Sequence, residues 1–185
     1  MNRGVTIQTA RLILRPWSQD DVVEIERVTN TPEVMEHMGG VAAPDAFVAM
    51  VERIMTGQRE QGFSFWIVER RSDRALLGFC GFKRGTVDPI IGEMEIGWRF
   101  RQDAWGQGYA REAAQACLDW AWANVDCEKI FAITVLGNAP SWGLMRRLGM
   151  TRREDMDFNH PNFAPEHPLA PHITYEIARA DERGS

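Results

Sequence analysis

Cysteine is scarce in this chain. Cys80, Cys117 and Cys127 are odd in number and never stand in a Cys-x-x-Cys spacing, which excludes a disulfide framework and fits reduced thiols in a cytosol. Cys80 lies in an apolar run with no adjacent base, so it reads as packing rather than as a nucleophile. Long apolar stretches are missing too. Residues 1–16 contain no run of signal-peptide length, and no other segment approaches the ~20 residues of a membrane span. A soluble, cytoplasmic protein with no membrane partner is therefore expected. Positive charge is not in excess. With 21 Lys and Arg against 26 Asp and Glu, a net charge of −5 and a pI near 5.4, the chain lacks the broad basic surface through which proteins neutralise nucleic-acid phosphates. An acidic surface suits amines instead. No Gly-Lys-Ser/Thr sequence is present to hold a nucleoside triphosphate with magnesium, and there is no internal repeat, low-complexity tract or linker. What remains is ordinary globular composition, 44% hydrophobic and 25% charged over 185 residues, read as one domain spanning residues 1–185.

Against that background one stretch stands out. Residues 100–110, Phe-Arg-Gln-Asp-Ala-Trp-Gly-Gln-Gly-Tyr-Ala, join a strand pattern to a glycine-paired turn and then to a helix pattern. Upstream, Glu93, Glu95, Gly97, Arg99 and Arg101 alternate with Met94, Ile96, Trp98 and Phe100, the period of a strand with one buried face. Downstream, Ala110, Ala113, Ala114, Cys117, Leu118 and Ala121 follow helical spacing and form a stripe of small residues suited to lying close on a sheet. Gly106 and Gly108 can take backbone angles denied to other residues, so successive N–H groups converge where the helix dipole favours an anion. A pyrophosphate is the natural guest. The dinucleotide fingerprint Gly-x-Gly-x-x-Gly/Ala is a competitor, but its third small position is Arg111 here.

The other elements follow in an order that builds one mixed sheet. Ser18 with Asp21 marks a helix start, and Val22, Ile25 and Val28 mark a helix that ends before Pro32. A second helix carries Phe47, Val48, Val51, Ile54 and Met55 on one face and is closed by Gly57. Residues 63–69 and 75–83 read as an antiparallel hairpin. After the glycine turn and its helix come an apolar strand over 130–136, parallel to the strand of Glu95, then a short helix over 140–148 and a final strand over 173–178.

The segment Glu95-Ile-Gly-Trp…Trp105-Gly-Gln-Gly-Tyr-Ala-Arg-Glu-Ala-Ala resembles the acetyl-CoA site of the GNAT N-acetyltransferase superfamily, in its RimJ/RimL-like branch. Thr9-Ala-Arg-Leu-Ile-Leu-Arg-Pro-Trp17 is similar to that branch's first strand. The run from Asn138 to Met150 is similar to its Asn-x-x-Ser helix with a Leu-Gly-Phe/Met cap. The resemblance spans roughly residues 7–180 and implies a mixed α+β fold: a mostly antiparallel sheet with one parallel strand pair, flanked by helices. One departure is Asp103, where many members carry Gln or Arg three residues before the first glycine.

By that resemblance the co-substrate is acetyl-CoA. Its pantetheine arm would run along the backbone of Trp98, Arg99, Phe100 and Arg101, and its pyrophosphate would sit on the turn of Trp105, Gly106, Gln107, Gly108, Tyr109 and Ala110. Asn138 would bond the arm from the other side. Arg101, Arg111 or Arg146 are candidates for the remaining phosphate, or are surface charges. Acetyl transfer to an amine needs a base, an oxyanion site and a proton for the thiolate. The resemblance assigns Glu95 the first role, acting through water, and Ser141 the third, with backbone N–H groups near Trp98 and Arg99 for the oxyanion. The competing readings are a solvent-facing carboxylate for Glu95 and a helix cap for Ser141.

The segment from Asp157 to His172, with four prolines and three histidines, reads as an ordered rim of the acceptor site that brings Asp157 and His160 to the substrate, with Trp17 as a further wall. The histidine spacing matches no zinc pattern, so no metal is expected. The acceptor is then a small amine or a protein N-terminus, and the chain acts as a monomer or homodimer. The alternative function is a catalytically weak acyl-CoA-binding regulator.

Overall fold

The computed structural model describes residues 4–179. The chain opens with strands β1 (Ile7–Gln8) and β2 (Leu12–Arg15). A 3-10 turn (Gln19–Asp21) follows, begun by Ser18, whose backbone N–H donates to the Asp21 carboxylate at 2.7 Å. It leads into α1 (Val22–Thr29). A short helix α2 (Pro32–Met35), which the sequence reading did not separate, starts with Pro32 at its first turn. Thr31 caps it by accepting from the Val34 N–H.

Helix α3 (Pro44–Gln61) overturns the expectation that Gly57 would close it. Gly57 lies inside the helix, where a Cβ would approach Ser64 Oγ at 3.2 Å, so its smallness serves close packing. The stop is Gly62, in the left-handed conformation at φ 77°, which a glycine adopts without a Cβ penalty. A glycine in a helix interior costs only about 1 kcal/mol, and the buried face of Phe47, Val51 and Ile54 outweighs it.

The hairpin forms as expected from β3 (Phe65–Arg70) and β4 (Leu76–Arg84). Strand β5 (Met94–Phe100) lies antiparallel to β4, and α4 (Tyr109–Asn124) crosses over to β6 (Lys129–Val135), which is parallel to β5. Helix α5 (Ala139–Arg147), short strands β7 (Thr151–Arg152) and β8 (Phe158–Asn159), and β9 (Pro171–Ala178) complete the order. The sheet runs β1-β2-β3-β4-β5-β6-β9-β7, with β8 on β9, and β5–β6 is its parallel pair.

Both faces of the sheet are covered, which explains why β5 departs from a one-sided pattern. On one face α4 lays Ala113, Ala114, Cys117, Leu118 and Ala121 against Leu12, Trp66, Phe82, Met94 and Ile96. The alanines bring helix and sheet close together. On the other face α1 and α3 cover Trp17, Ile67 and Phe79. Glu95 is therefore buried, at 6% exposure, rather than solvent-facing. Among the described residues no helix is long and apolar enough to cross a membrane.

Candidate active site

The parallel pairing of β5 with β6 is short: only Met94↔Ile130 and Glu95↔Phe131 are in register. Beyond Glu95 the two strands separate. Arg101 N–H donates to Leu77 O at 2.8 Å, and the antiparallel alternation then turns the peptide groups of Glu95, Gly97 and Arg99 toward β4 and those of Ile96, Trp98 and Phe100 toward the gap. The four predicted backbone positions thus divide. Trp98 and Phe100 face the opening, whereas Arg99 and Arg101 are engaged with β4. Phe100 O accepts from the Trp105 indole N–H at 2.9 Å, which leaves the Trp98 peptide and the Phe100 N–H facing the gap.

At the end of that gap stands the glycine turn. Gly106 and Gly108 have φ of 71° and 80°, and Gly108 is the N-cap of α4. Among the described residues the N–H groups of 106–111 donate to no acceptor, while the next, of Glu112, returns to Gly108 O. Six convergent donors at a helix N-terminus fit a diphosphate. Asp103, the departure noted above, pairs with Arg101 through both oxygens at 2.5 and 2.8 Å, so Arg101 is held beside the turn by its own neighbour. Gln107 braces the turn by donating to Asp103 O at 2.7 Å.

A residue outside the expected set holds the turn from across the sheet. Arg11 donates from Nη1 to Gln107 O at 2.9 Å and from Nε to Glu112 at 2.7 Å, and its guanidinium lies 4.5 Å from the centre of the Tyr109 ring. Glu112 also accepts from the Thr9 hydroxyl at 2.6 Å. Burial pushes the Glu112 carboxyl up, but Thr9 and Arg11 outweigh it and leave it below its ordinary value. Arg11 lies about 100 residues from its partners in sequence, so no local pattern announces it.

Glu95 occupies the same face of β5 as Gly97 and Arg99. Burial raises its pKa, and Lys83, its partner across the β4–β5 ladder, draws it partly back. Asn138, not Ser141, caps α5: its Oδ1 accepts from Ser141 N–H at 3.3 Å, and the Ser141 hydroxyl makes no hydrogen bond among the described residues. The amide nitrogen of Asn138 is likewise unengaged.

The three expected wall residues are placed differently. Trp17 is buried at 5% under α1 and α3, its ring 5.4 Å from Phe79. Asp157 is bound by Arg152 through both carboxylate oxygens and also accepts from Thr174 N–H, which braces the 3-10 turn Glu154–Met156 against β9. His160 belongs to a stack with His172, 4.8 Å between ring centres, and with Phe163 and Phe158. Burial is the first cause that lowers both imidazoles, so the stack favours neutral rings. Gly39 lies against Phe163, and His37 is near Gly137, so the glycine-rich bend after α2 meets the histidine rim beside Asn138. Among the described residues no group of three or more His, Cys, Asp or Glu is gathered to hold a metal.

The family model described as an acetyltransferase (GNAT) domain matches residues 11–151. YnaD of Bacillus subtilis (strain 168), named an uncharacterized N-acetyltransferase, is 30% identical over 149 residues, 79% of this chain and 82% of its own. In fold, the chain is similar to an acetyltransferase from Agrobacterium tumefaciens str. C58, with a TM-score of 0.77 at 22% identity over 95% of both chains. It is also similar to RimL, a ribosomal L7/L12 alpha-N-protein acetyltransferase in complex with coenzyme A, with a TM-score of 0.75 at 14% identity over 94% of this chain and 98% of that one. The separating parallel strands, the donor-lined turn and a family match across most of the sequence agree, and the chain belongs to the GNAT acetyltransferase domain family.

Proposed function

We propose that this chain moves an acetyl group from acetyl-CoA to a primary amine, on a small molecule or a protein N-terminus, by direct attack in a ternary complex in the cytoplasm. The observation that carries this reading is the row of unpartnered N–H groups over residues 106–111, opening onto the β5–β6 gap with the buried carboxylate of Glu95 at its inner end. The coenzyme A bound by the fold-relative RimL supports the same guest. Acetyl-CoA supplies the thioester carbonyl, and the protein's groups do the rest.

The turn holds the diphosphate by backbone donors and the α4 dipole. The Trp98 and Phe100 peptides, with Asn138 opposite, bond the arm as an added strand would. Glu95 takes the amine proton through water, and its raised pKa brings it nearer to that of a useful base at neutral pH. The Trp98 N–H is the candidate donor to the oxyanion. Ser141 returns a proton to the departing thiolate, a role its unengaged hydroxyl allows.

The test is thiol release from acetyl-CoA against a panel of amines and peptide N-termini, with Glu95→Gln and Ser141→Ala beside the wild type. Loss of turnover in both variants with coenzyme A binding intact is expected. Full activity in both would remove the two catalytic roles, and no calorimetric heat with coenzyme A would overturn the whole reading.

A further inference from the structure

Phe79 stands at the centre of the sheet face beneath α1 and α3. The Trp17 ring lies 5.4 Å away, the Phe65 ring 5.8 Å, and the guanidinium of Arg99, its cross-strand partner, 5.1 Å. Two of these neighbours share a defect. Arg99 Nε and Trp17 Nε1 are sealed from solvent, and neither has a hydrogen-bond acceptor among the described residues. Arg99 Nη2 donates to the Met38 sulfur at 3.6 Å, a weak acceptor.

Several other arginines of the chain hold carboxylates. Arg15, on the same side of the sheet, is paired with Asp21 and Glu69. Arg70 holds Asp73, Arg101 holds Asp103, and Arg152 holds Asp157. No carboxylate among the described residues lies within 4.0 Å of Arg99. Burial alone acts on it and lowers its pKa to about 10, so it remains cationic at neutral pH. A half-buried cation with a sealed Nε and no carboxylate partner among the described residues is costly, and a ligand anion offsets the cost.

Its position says which ligand. Glu95, Gly97 and Arg99 share one face of β5, with Glu95 and Arg99 about 13 Å apart along the strand. A Cβ on Gly97 would meet the Phe65 ring at 3.1 Å, so that ring lies over Gly97 between them. Met38, which touches Arg99, belongs to the same bend that meets Phe163 and Gly137, the rim of the acceptor cleft.

We propose that the Arg99 guanidinium is the anion-recognising group of the acceptor site, and that the acceptor is an amine that also carries a carboxylate. This rests on the acetyl-transfer reading above. The amine is held at the Glu95 end and the carboxylate at the Arg99 end, where the fork of the guanidinium pairs with both oxygens. The same chemistry is offered by the α-carboxylate of a free amino acid and by an acidic side chain near a peptide N-terminus.

Matched acceptors test it. Thiol release is measured with free amino acids against their primary amides, and with peptides beginning in Glu against the same peptides beginning in Gln. The amino amide carries the more readily deprotonated amine, so simple nucleophilicity favours it. A preference of about 10- to 100-fold in kcat/KM for the acid of one of the two pairs is expected, and the pair that shows it identifies the source. Arg99→Gln abolishes that preference through KM, Arg99→Lys restores part of it, and coenzyme A binding by calorimetry is unchanged in both. Equal rates for acid and amide in both pairs, or a preference that survives in Arg99→Gln, overturns the assignment and leaves acetyl transfer standing. No thiol release with any acceptor overturns both.

Discussion

Lys83 Nζ lies 3.2 Å from Glu95 Oε2 across the β4–β5 ladder, close enough for an ion pair yet outside hydrogen-bonding geometry, so that oxygen remains an open acceptor in a buried setting. The pair sets the charge state of the proposed base. Burial favours the neutral carboxyl, and Lys83 favours the ion.

Activity should therefore rise with pH through a Glu95 pKa above its ordinary 4.5. Lys83→Met removes the opposing cation, so the acidic limb of a kcat/KM profile moves to higher pH. Glu95→Gln removes the limb and lowers kcat by roughly 10²- to 10⁴-fold. A limb that stays in place in Lys83→Met would show that the pair does not govern the base. Stability follows the opposite course. A carboxyl raised in the folded state binds more protons there, so stability falls as pH climbs from 4.5 through the raised value. Glu95→Gln should accordingly raise the thermal midpoint at pH 7 while lowering turnover.

Gly106 and Gly108 separate backbone strain from crowding. A Cβ on Gly106 would meet nothing within 4 Å, whereas one on Gly108 would touch Arg11 Nη2 at 3.4 Å. Both residues have positive φ, so either alanine costs about 1–2 kcal/mol of backbone energy. Calorimetry should show coenzyme A affinity about 10-fold weaker in Gly106→Ala and weaker still in Gly108→Ala, with little change in the far-ultraviolet spectrum. Unaltered affinity in both would dissociate the turn from the ligand.

Arg11→Ala should loosen the same turn from outside it, through the lost bonds to Gln107 O and Glu112. The Arg11 side chain is nearly half exposed, so the global stability loss stays near 1 kcal/mol or below. Coenzyme A affinity is expected to fall several-fold. An equal fall in Glu112→Gln would locate the effect in the bridge rather than in the charge of Arg11. A large drop in urea midpoint with unchanged affinity would make the bridge purely structural.

Asp21 joins β2 to the start of α1 by accepting two bonds from Arg15 at 2.7 and 2.8 Å. Burial pushes its carboxyl up, but Arg15 and Ser18 outweigh it and hold its pKa below the ordinary 3.8. A depressed carboxylate contributes stability that is present above 3.8 and is lost as pH falls through the lower folded value. Asp21→Asn leaves Arg15 half-paired and should cost about 2–4 kcal/mol in urea unfolding at pH 7. The variant's acid unfolding should also lack the steep loss below pH 4.

Much of this architecture was legible in residues 94–121. Alternation in β5, the paired glycines and the small stripe of α4 are local patterns, and each formed where it was read. The mixed sheet and its parallel pair followed from element order. Gly57 misled because a helix can carry one glycine where a neighbour packs close, and Ser141 was open to two readings because a cap is decided by backbone angles at Asn138. No local pattern shows that the Asp157 carboxylate is bound by Arg152, five residues away across a 3-10 turn.

Periodicity and the handedness of glycine are properties of neighbours in the chain, so the sequence alone determined the strand, the turn and the helix at whose start the free N–H groups gather. Burial and pairing belong to residues brought together from afar. Only the tertiary structure could place Glu95 out of solvent beside Lys83, lay Arg11 on a turn 96 residues away, and leave Arg99 without a carboxylate partner among the described residues. The energy of a charge depends on what surrounds it in space, and that surrounding forms only when β4, β5 and the helices close over one another.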